Sequence, residues 1–159
     1  MPALKAVLFD LDGVLVDSFE VWLAVVNSAC ERFDVPGVTR EHLTRIFGQG
    51  IEDDAKYLYP GRSQAEIRSA YEAAMPKAIA RMHRNPEAHA ALDALGRLGI
   101  RRAVVTNTQE SLAGVVLRTT GIEGHMHASG ALAPGLRGKP APDLLVRALA
   151  LTGAAAGEA

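Results

Sequence analysis

Lys5-Ala-Val-Leu-Phe-Asp-Leu-Asp-Gly-Val-Leu-Val-Asp-Ser18 is the stretch from which the fold is read. Ala6 to Phe9 form a short apolar run of the kind that fills a buried strand. It stops at Asp10, Leu11, Asp12 and Gly13. Burying unpaired charge is costly, so two carboxylates two residues apart at the end of a buried strand need a reason. A bound cation and a phosphorylated substrate would supply one. Gly13 can take the positive φ that a tight loop often needs. The plain alternative is a strand ending in an Asx-type turn. The strand, the acidic pair and the glycine occurring together favour a site.

Composition bounds the rest. The chain has 159 residues, 48% of them hydrophobic, and a formal net charge of −1. That suits one compact core with a small insertion. Near-neutral charge gives no electrostatic footprint for nucleic acid or an anionic membrane. The single cysteine, Cys30, excludes an intramolecular disulfide and fits a reducing cytoplasm. Its neighbours Val25, Val26 and Ala29 mark a buried helix position rather than a reactive thiol. No apolar stretch approaches membrane-spanning length, and the N-terminus reads as leading straight into a strand rather than as a signal peptide.

Beyond the acidic loop the pattern turns helical. Asp17 or Ser18 is placed to cap a helix to about Phe33, with Val21, Trp22, Val25, Val26 and Ala29 on its apolar face. Pro36-Gly37 breaks the chain, Thr39 opens a short helix through Phe47, and Gly48-Gln49-Gly50 is a turn before a helical stretch to about Tyr59. Arg45, Gly48 and Gln49 are read as ordinary helix-end and turn residues in preference to a substrate loop. Ser63 and Glu66 have capping-box spacing at the head of a helix to about His83, which Pro76 should kink or split. Nothing from Ser18 to His83 reads as a strand, so residues 18–83 are an all-helical insertion.

Asn85-Pro86-Glu87 opens a helix to about Leu98, closed by Gly99. Ile100 to Val105 is then a strand ending in Thr106-Asn107-Thr108, where function is expected in a βα unit. Ser111 to Thr120 is a helix, and a short strand is expected over Met126 to Ala128. His83, His89 and the pair His125-x-His127 lack metal-site partners and are assigned to packing or surface roles. In Gly138-Lys139-Pro140-Ala141-Pro142-Asp143 a lysine precedes proline, which holds it extended, before a helix through Leu151. Taken alone, Thr-Asn could be an ordinary helix cap and Lys-Pro an ordinary loop.

In series these three segments resemble the haloacid dehalogenase-like hydrolase superfamily, nearest its phosphoglycolate phosphatase-like branch, over essentially the whole chain. The resemblance implies an α/β fold: a doubly wound, Rossmann-like parallel-sheet core (residues 1–17 and 84–159) with an inserted all-helical cap (18–83) over the active site. It implies that Asp10 is the nucleophile and Asp12 the general acid and then base. Thr106 would donate to a phosphoryl oxygen, Asn107 would add amide contacts, Gly13 would line the phosphate loop, and Lys139 would neutralise Asp10 and the phosphoryl oxygens. The cofactor implied is Mg2+ on Asp10 and Asp12, because a carboxylate approaching an anionic phosphoryl group needs its repulsion neutralised. An aspartyl-phosphate intermediate divides hydrolysis into two easier steps. The presence of Asp12 argues against the dehalogenases of the superfamily, which lack that residue.

The expectation is therefore a magnesium-dependent phosphatase acting on a small phosphorylated metabolite. A β-phosphoglucomutase-like phosphotransferase is the alternative, although Thr106-Asn107 resembles the phosphatases more. One departure stands out. In relatives a further strand carries acidic residues that complete the magnesium site, whereas this sequence runs out at Gly153-Ala-Ala-Ala-Gly-Glu-Ala159. Weak magnesium binding, a first strand left at a sheet edge, self-association through that edge, and a non-catalytic fragment or binding module are the corresponding expectations. Glu158, placed on a mobile tail, is a poor substitute for the absent residues.

Overall fold

The computed structural model describes residues 3–126 and 128–159. The elements run in the order β1 (Ala6–Phe9), β2 (Val16–Asp17), α1 (Phe19–Phe33), α2 (Arg40–Ile46), α3 (Ile51–Tyr57) and α4 (Gln64–Ala78). There follow β3 (His83–Arg84), α5 (Pro86–Arg97), β4 (Arg101–Gln109), α6 (Glu110–Thr120), β5 (Ala128–Leu132) and α7 (Asp143–Thr152). The chain divides into two compact units, Met1–Asp17 with His83–Ala159, and Ser18–Met82.

The first unit is built on a parallel sheet of order β1-β4-β5. Ala6 to Phe9 run beside Arg101 to Val104, and Ala103 to Thr106 beside Ala128 to Ala131. Parallel neighbours require crossovers, and α6 supplies the one between β4 and β5. Helix α7 covers the sheet with Leu144 and Ala148, both fully buried beside Ala103 and Val105. Gly130 permits this approach, because a Cβ there would meet the Val104 carbonyl at 2.9 Å and the Leu144 carbonyl at 3.0 Å. Strand β1 lies at the sheet edge, with Val7, Leu8 and Phe9 half-buried.

Several local expectations shift. Strand β4 does not end at Val105 but continues through Thr106, Asn107 and Thr108 to Gln109, with its register against β5 interrupted between Thr106 and Gln109. Asn107 and Thr108 fall in this irregularity, and pairing resumes at Gln109 with Leu132, which carries the strand past the turn-favouring Thr-Asn-Thr. The strand expected over Met126 to Ala128 lies later, at Ala128–Leu132. His83, expected to end the long helix, pairs with Asp17 in the small antiparallel β2–β3 ladder. Two-residue strands carry too little periodicity to be read from a sequence.

The second unit is helical. The apolar stripe of α1 buries Val21, Val25, Val26, Ala29, Cys30 and Phe33. Ser18 stands at its N-cap position without a side-chain capping bond. Thr39 does cap α2 by accepting the His42 N–H, and Ser63 with Glu66 forms a full capping box on α4. Pro76 sits inside α4, which ends two residues later at Ala78 and tightens into a 3-10 turn, Ile79–Arg81. Lacking an N–H, proline cannot supply the bond to the preceding turn, so the helix gives way close to it. Arg45 pairs with Glu41 and Gln49 with Asp54, so both have partners inside this unit. Burial pushes the Cys30 thiol pKa up, which keeps it protonated and inert.

Candidate active site

Because β1, β4 and β5 are parallel, the segments leaving their C-terminal ends converge. The loop after β1 is wound on a single acceptor: the Leu11 carbonyl receives the N–H groups of Val14, Leu15 and Val16. Leu11, Leu15 and Val16 are buried beneath it. Gly13 takes φ 79° and donates its N–H to the Val16 carbonyl at 2.9 Å. Its positive φ is as expected, while its N–H is engaged within the loop.

Asp10 stands half-exposed at the mouth of this loop. Its Oδ1 accepts the Leu11 N–H at 2.8 Å and faces Lys139 Nζ at 2.9 Å. Lys139 arrives from the segment between β5 and α7, 129 residues further along the chain, and also donates from Nζ to the Val105 carbonyl at 3.2 Å. The Lys139–Pro140 peptide bond is cis. The ammonium is thus fixed between the strand end and the carboxylate, a charge-assisted contact with a defined direction.

Asn107 sets the position of that lysine. Its Oδ1 accepts the Lys139 N–H at 2.6 Å and its Nδ2 donates to the Lys139 carbonyl at 3.2 Å. Gly138 makes room, since a Cβ there would sit 2.8 Å from Asn107 Oδ1. The amide expected to face substrate therefore clamps the main chain of the lysine that would do so.

Asp12 is held from the other side. Thr108 Oγ1 donates to Asp12 Oδ2 at 2.6 Å, and Thr106 Oγ1 reaches the same oxygen at 3.4 Å. Thr106 Oγ1 also accepts the Thr108 N–H at 3.0 Å. Sequence reading singled out Thr106 and passed over Thr108, although residues i and i+2 of a strand share a face. Asp10, Asp12, Thr106, Asn107 and Lys139 are all brought to one end of the sheet.

The donors at this end suit a hard cation. Asp10 and Asp12 offer oxygen ligands, and magnesium is commonly held by one or two carboxylates with substrate phosphate and water. Among the described residues no group of three or more His, Cys, Asp or Glu could hold a metal ion, so the set is of the right kind and sparse. Glu158 does not add to it. Its carboxylate pairs with Lys5 Nζ at 2.6 Å, and its carbonyl accepts the Lys5 N–H at 2.8 Å. It is therefore tied down rather than mobile, and it sits before β1 while Asp10 follows it, roughly 13 Å of strand away. His125 Nδ1 lies 3.2 Å from Asp93 and its ring packs on His89, a packing role as expected. His127 lies outside the described residues. No helix among the described residues is long and apolar enough to cross a membrane.

Residues 7–159 match the family model described as haloacid dehalogenase-like hydrolase. A phosphoglycolate phosphatase of Agrobacterium fabrum is 32% identical over 129 residues, covering 76% of this chain and 55% of that protein. The tyrosine-protein kinase PtkA of Mycobacterium tuberculosis is 31% identical over 154 residues, covering 92% of this chain and 50% of PtkA. The chain thus spans about half the length of the curated relatives it matches. A predicted phosphatase from Clostridium acetobutylicum superposes with a TM-score of 0.82 at 19% identity, over 98% of this chain and 74% of that one, a likeness of fold.

Proposed function

Because this chain belongs to the haloacid dehalogenase-like hydrolase family, we propose that it hydrolyses a small phosphate monoester through Asp10. The observation that carries this reading is the contact of Lys139 Nζ with Asp10 Oδ1, made beside an Asp12 held by β4 hydroxyls. With Oδ1 bonded to Lys139 and to the Leu11 N–H, Oδ2 is the nucleophilic oxygen. It attacks phosphorus in line with the leaving oxygen, forming the Asp10 acyl-phosphate as the P–O bond breaks. Asp12 gives its proton to the leaving oxygen, then accepts one from the water that attacks the acyl-phosphate, releasing phosphate and regenerating Asp10. Lys139 offsets the charge that gathers on the phosphoryl oxygens, and the Thr106 hydroxyl and Gly13 loop border the same space. Asp10 and the backbone carbonyl of Asp12 would hold a magnesium ion, which when bound would supply neutralisation for an anion approaching a carboxylate.

Phosphoglycolate, a small alkyl phosphate that also carries a carboxylate, is the substrate class that the Agrobacterium fabrum relative's name supports. A second reading rests on the match to PtkA, which covers more of this chain than the phosphatase match does. In it the acyl-phosphate is transferred to a hydroxyl acceptor, a sugar or a tyrosine, instead of to water.

The test is phosphate release from a panel of monoesters, with and without magnesium, by the wild-type chain and Asp10→Asn. Magnesium-dependent release that the substitution abolishes supports the proposal. Transfer of label from substrate to glucose 1-phosphate or a tyrosine peptide, without phosphate release, selects the second reading. No turnover from folded protein rejects catalysis by this chain and favours a binding module.

A further inference from the structure

We propose that Arg147 is a positioning residue of the site: it pins the irregular stretch of β4 that carries Asn107, and through Asn107 it fixes Lys139. This rests on the phosphatase reading above and deepens it. Strand β4 pairs with β5 at Thr106–Ala131 and again at Gln109–Leu132, with Asn107 and Thr108 in the gap between. Where a ladder is interrupted, fewer backbone bonds define the chain, so its ends need another hold. One guanidinium provides it from both sides. Arg147 Nη1 donates to the carbonyl of Ala131, the residue paired just before the gap, at 3.1 Å. Arg147 Nη2 donates at 2.8 Å to Oε1 of Glu110, the residue after Gln109, where pairing has resumed.

A planar fork that reaches two acceptors in fixed directions is what arginine offers and lysine does not. Helix α7 brings it there. Ala148, the next residue, is fully buried, and a Cβ at Gly130 would lie 3.2 Å from the Ala148 Cβ, so the helix runs close over β5. The Arg147 side chain is 27% exposed, which shields its contacts from water more than those of a surface pair. The segment that carries Lys139 leads into the same helix. Arg147 therefore ties together both halves of the Asn107–Lys139 clamp, the strand that bears the amide and the helix that follows the lysine. At 2.6 and 3.2 Å the clamp has little slack, and a drift of about 1 Å in the gap breaks it.

The test follows the clamp itself as well as turnover. Amide hydrogen exchange is measured at the Lys139 N–H, which Asn107 holds, and at the Arg101 N–H, which is bonded to the Lys5 carbonyl at 2.9 Å at the other end of the sheet. In Arg147→Met, which keeps the stem and loses the fork, exchange at Lys139 is expected to quicken about 10-fold or more, with Arg101 within about twofold. Arg147→Lys, with one ammonium for two acceptors, should lie between. In magnesium, kcat for phosphate release should fall about 3- to 10-fold with KM within about twofold, and Arg147→Met should add nothing to Asn107→Ala. An arginine that only stabilised the fold would speed both amides alike and would add to Asn107→Ala. Either result overturns the role, as does unchanged exchange at Lys139. Should Arg147→Met not fold, the same readings are taken on Arg147→Lys, where equal exchange at both amides overturns the proposal. If the wild-type chain shows no Asp10-dependent turnover, the phosphatase reading falls, while exchange at Lys139 still decides whether Arg147 holds the clamp.

Discussion

Two carboxylates in this protein sit among hydrogen-bonding side chains, with opposite consequences. Asp10, at the end of the parallel sheet, is half-exposed and faces an ammonium. Asp54, in the helical unit, is 9% exposed and is held by neutral groups: Tyr71 donates to Oδ2 at 2.9 Å and Gln49 to Oδ1 at 2.6 Å. Tyr71 also contacts the Tyr59 hydroxyl at 3.3 Å, and Tyr59 donates to the Val26 carbonyl at 3.0 Å. Burial raises the Asp54 pKa to about 6, against the lowering by the Gln49 and Tyr71 bonds. Burial likewise drives the Tyr59 and Tyr71 hydroxyls upward, so both remain neutral donors. Desolvation works against the charge of Asp54, whereas Asp10 keeps its solvent and faces a cation.

Removing the cation should break this contrast most severely. Lys139→Ala is expected to reduce phosphate release by about 10²- to 10³-fold while the denaturant midpoint barely moves, as measured by steady-state assay and urea unfolding. A stability loss comparable to the activity loss would show that the pair is structural.

The buried carboxylate should show itself through pH. An Asp near 3.8 in the unfolded chain and about 6 when folded binds more protons in the folded state between those values. Stability therefore falls as pH rises from 4 to 7, by on the order of 2–3 kcal/mol. Asp54→Asn should flatten that slope, read as the difference between wild-type and variant urea curves at each pH. A parallel pair of curves would mean that Asp54 is charged when folded.

Between these extremes lies Asn107, which carries no charge and serves the charged site. Asn107→Ala leaves the N–H and C=O of Lys139 without their side-chain partner and should cost about 1–3 kcal/mol. It should also lower kcat, because the lysine loses its seat. An intact kcat would place the control of Lys139 elsewhere. The smallest effect is expected at the pair of exposed Lys5 with part-buried Glu158, where Glu158→Gln should leave turnover unchanged and shift stability by less than about 1 kcal/mol.

Legibility followed the range of the interaction. Asp10, Asp12, Thr106 and Lys139 could be singled out because their segments follow readable strands or precede a proline and in series resemble one family, and the structure brings them to one end of the sheet. The bond of Thr108 to Asp12 could not be read, since its two partners lie 96 positions apart. For Asn107 the residue type suggested a ligand contact, and the structure adds one that the sequence did not show, the clamp of its amide on a main chain 32 residues on. In the helical unit the capping box at Ser63 and Glu66 was read directly, while the Asp54 cluster passed unnoticed because its aspartate looks like any helix-surface acid.

By itself the sequence determined the local choices: a strand over Ala6–Phe9, glycine at the positive φ of Gly13, the stripe of α1, and the yielding of α4 near Pro76. Those follow from periodicity, backbone sterics and missing donors, which act over a few residues. Only the tertiary structure decided that β4 runs on to Gln109, that Glu158 belongs to Lys5, and that Thr106 and Thr108 meet Asp12. These depend on which strand end meets which loop. A hydrogen bond has an effect only where both partners arrive at the same point, and chain folding alone brings them there.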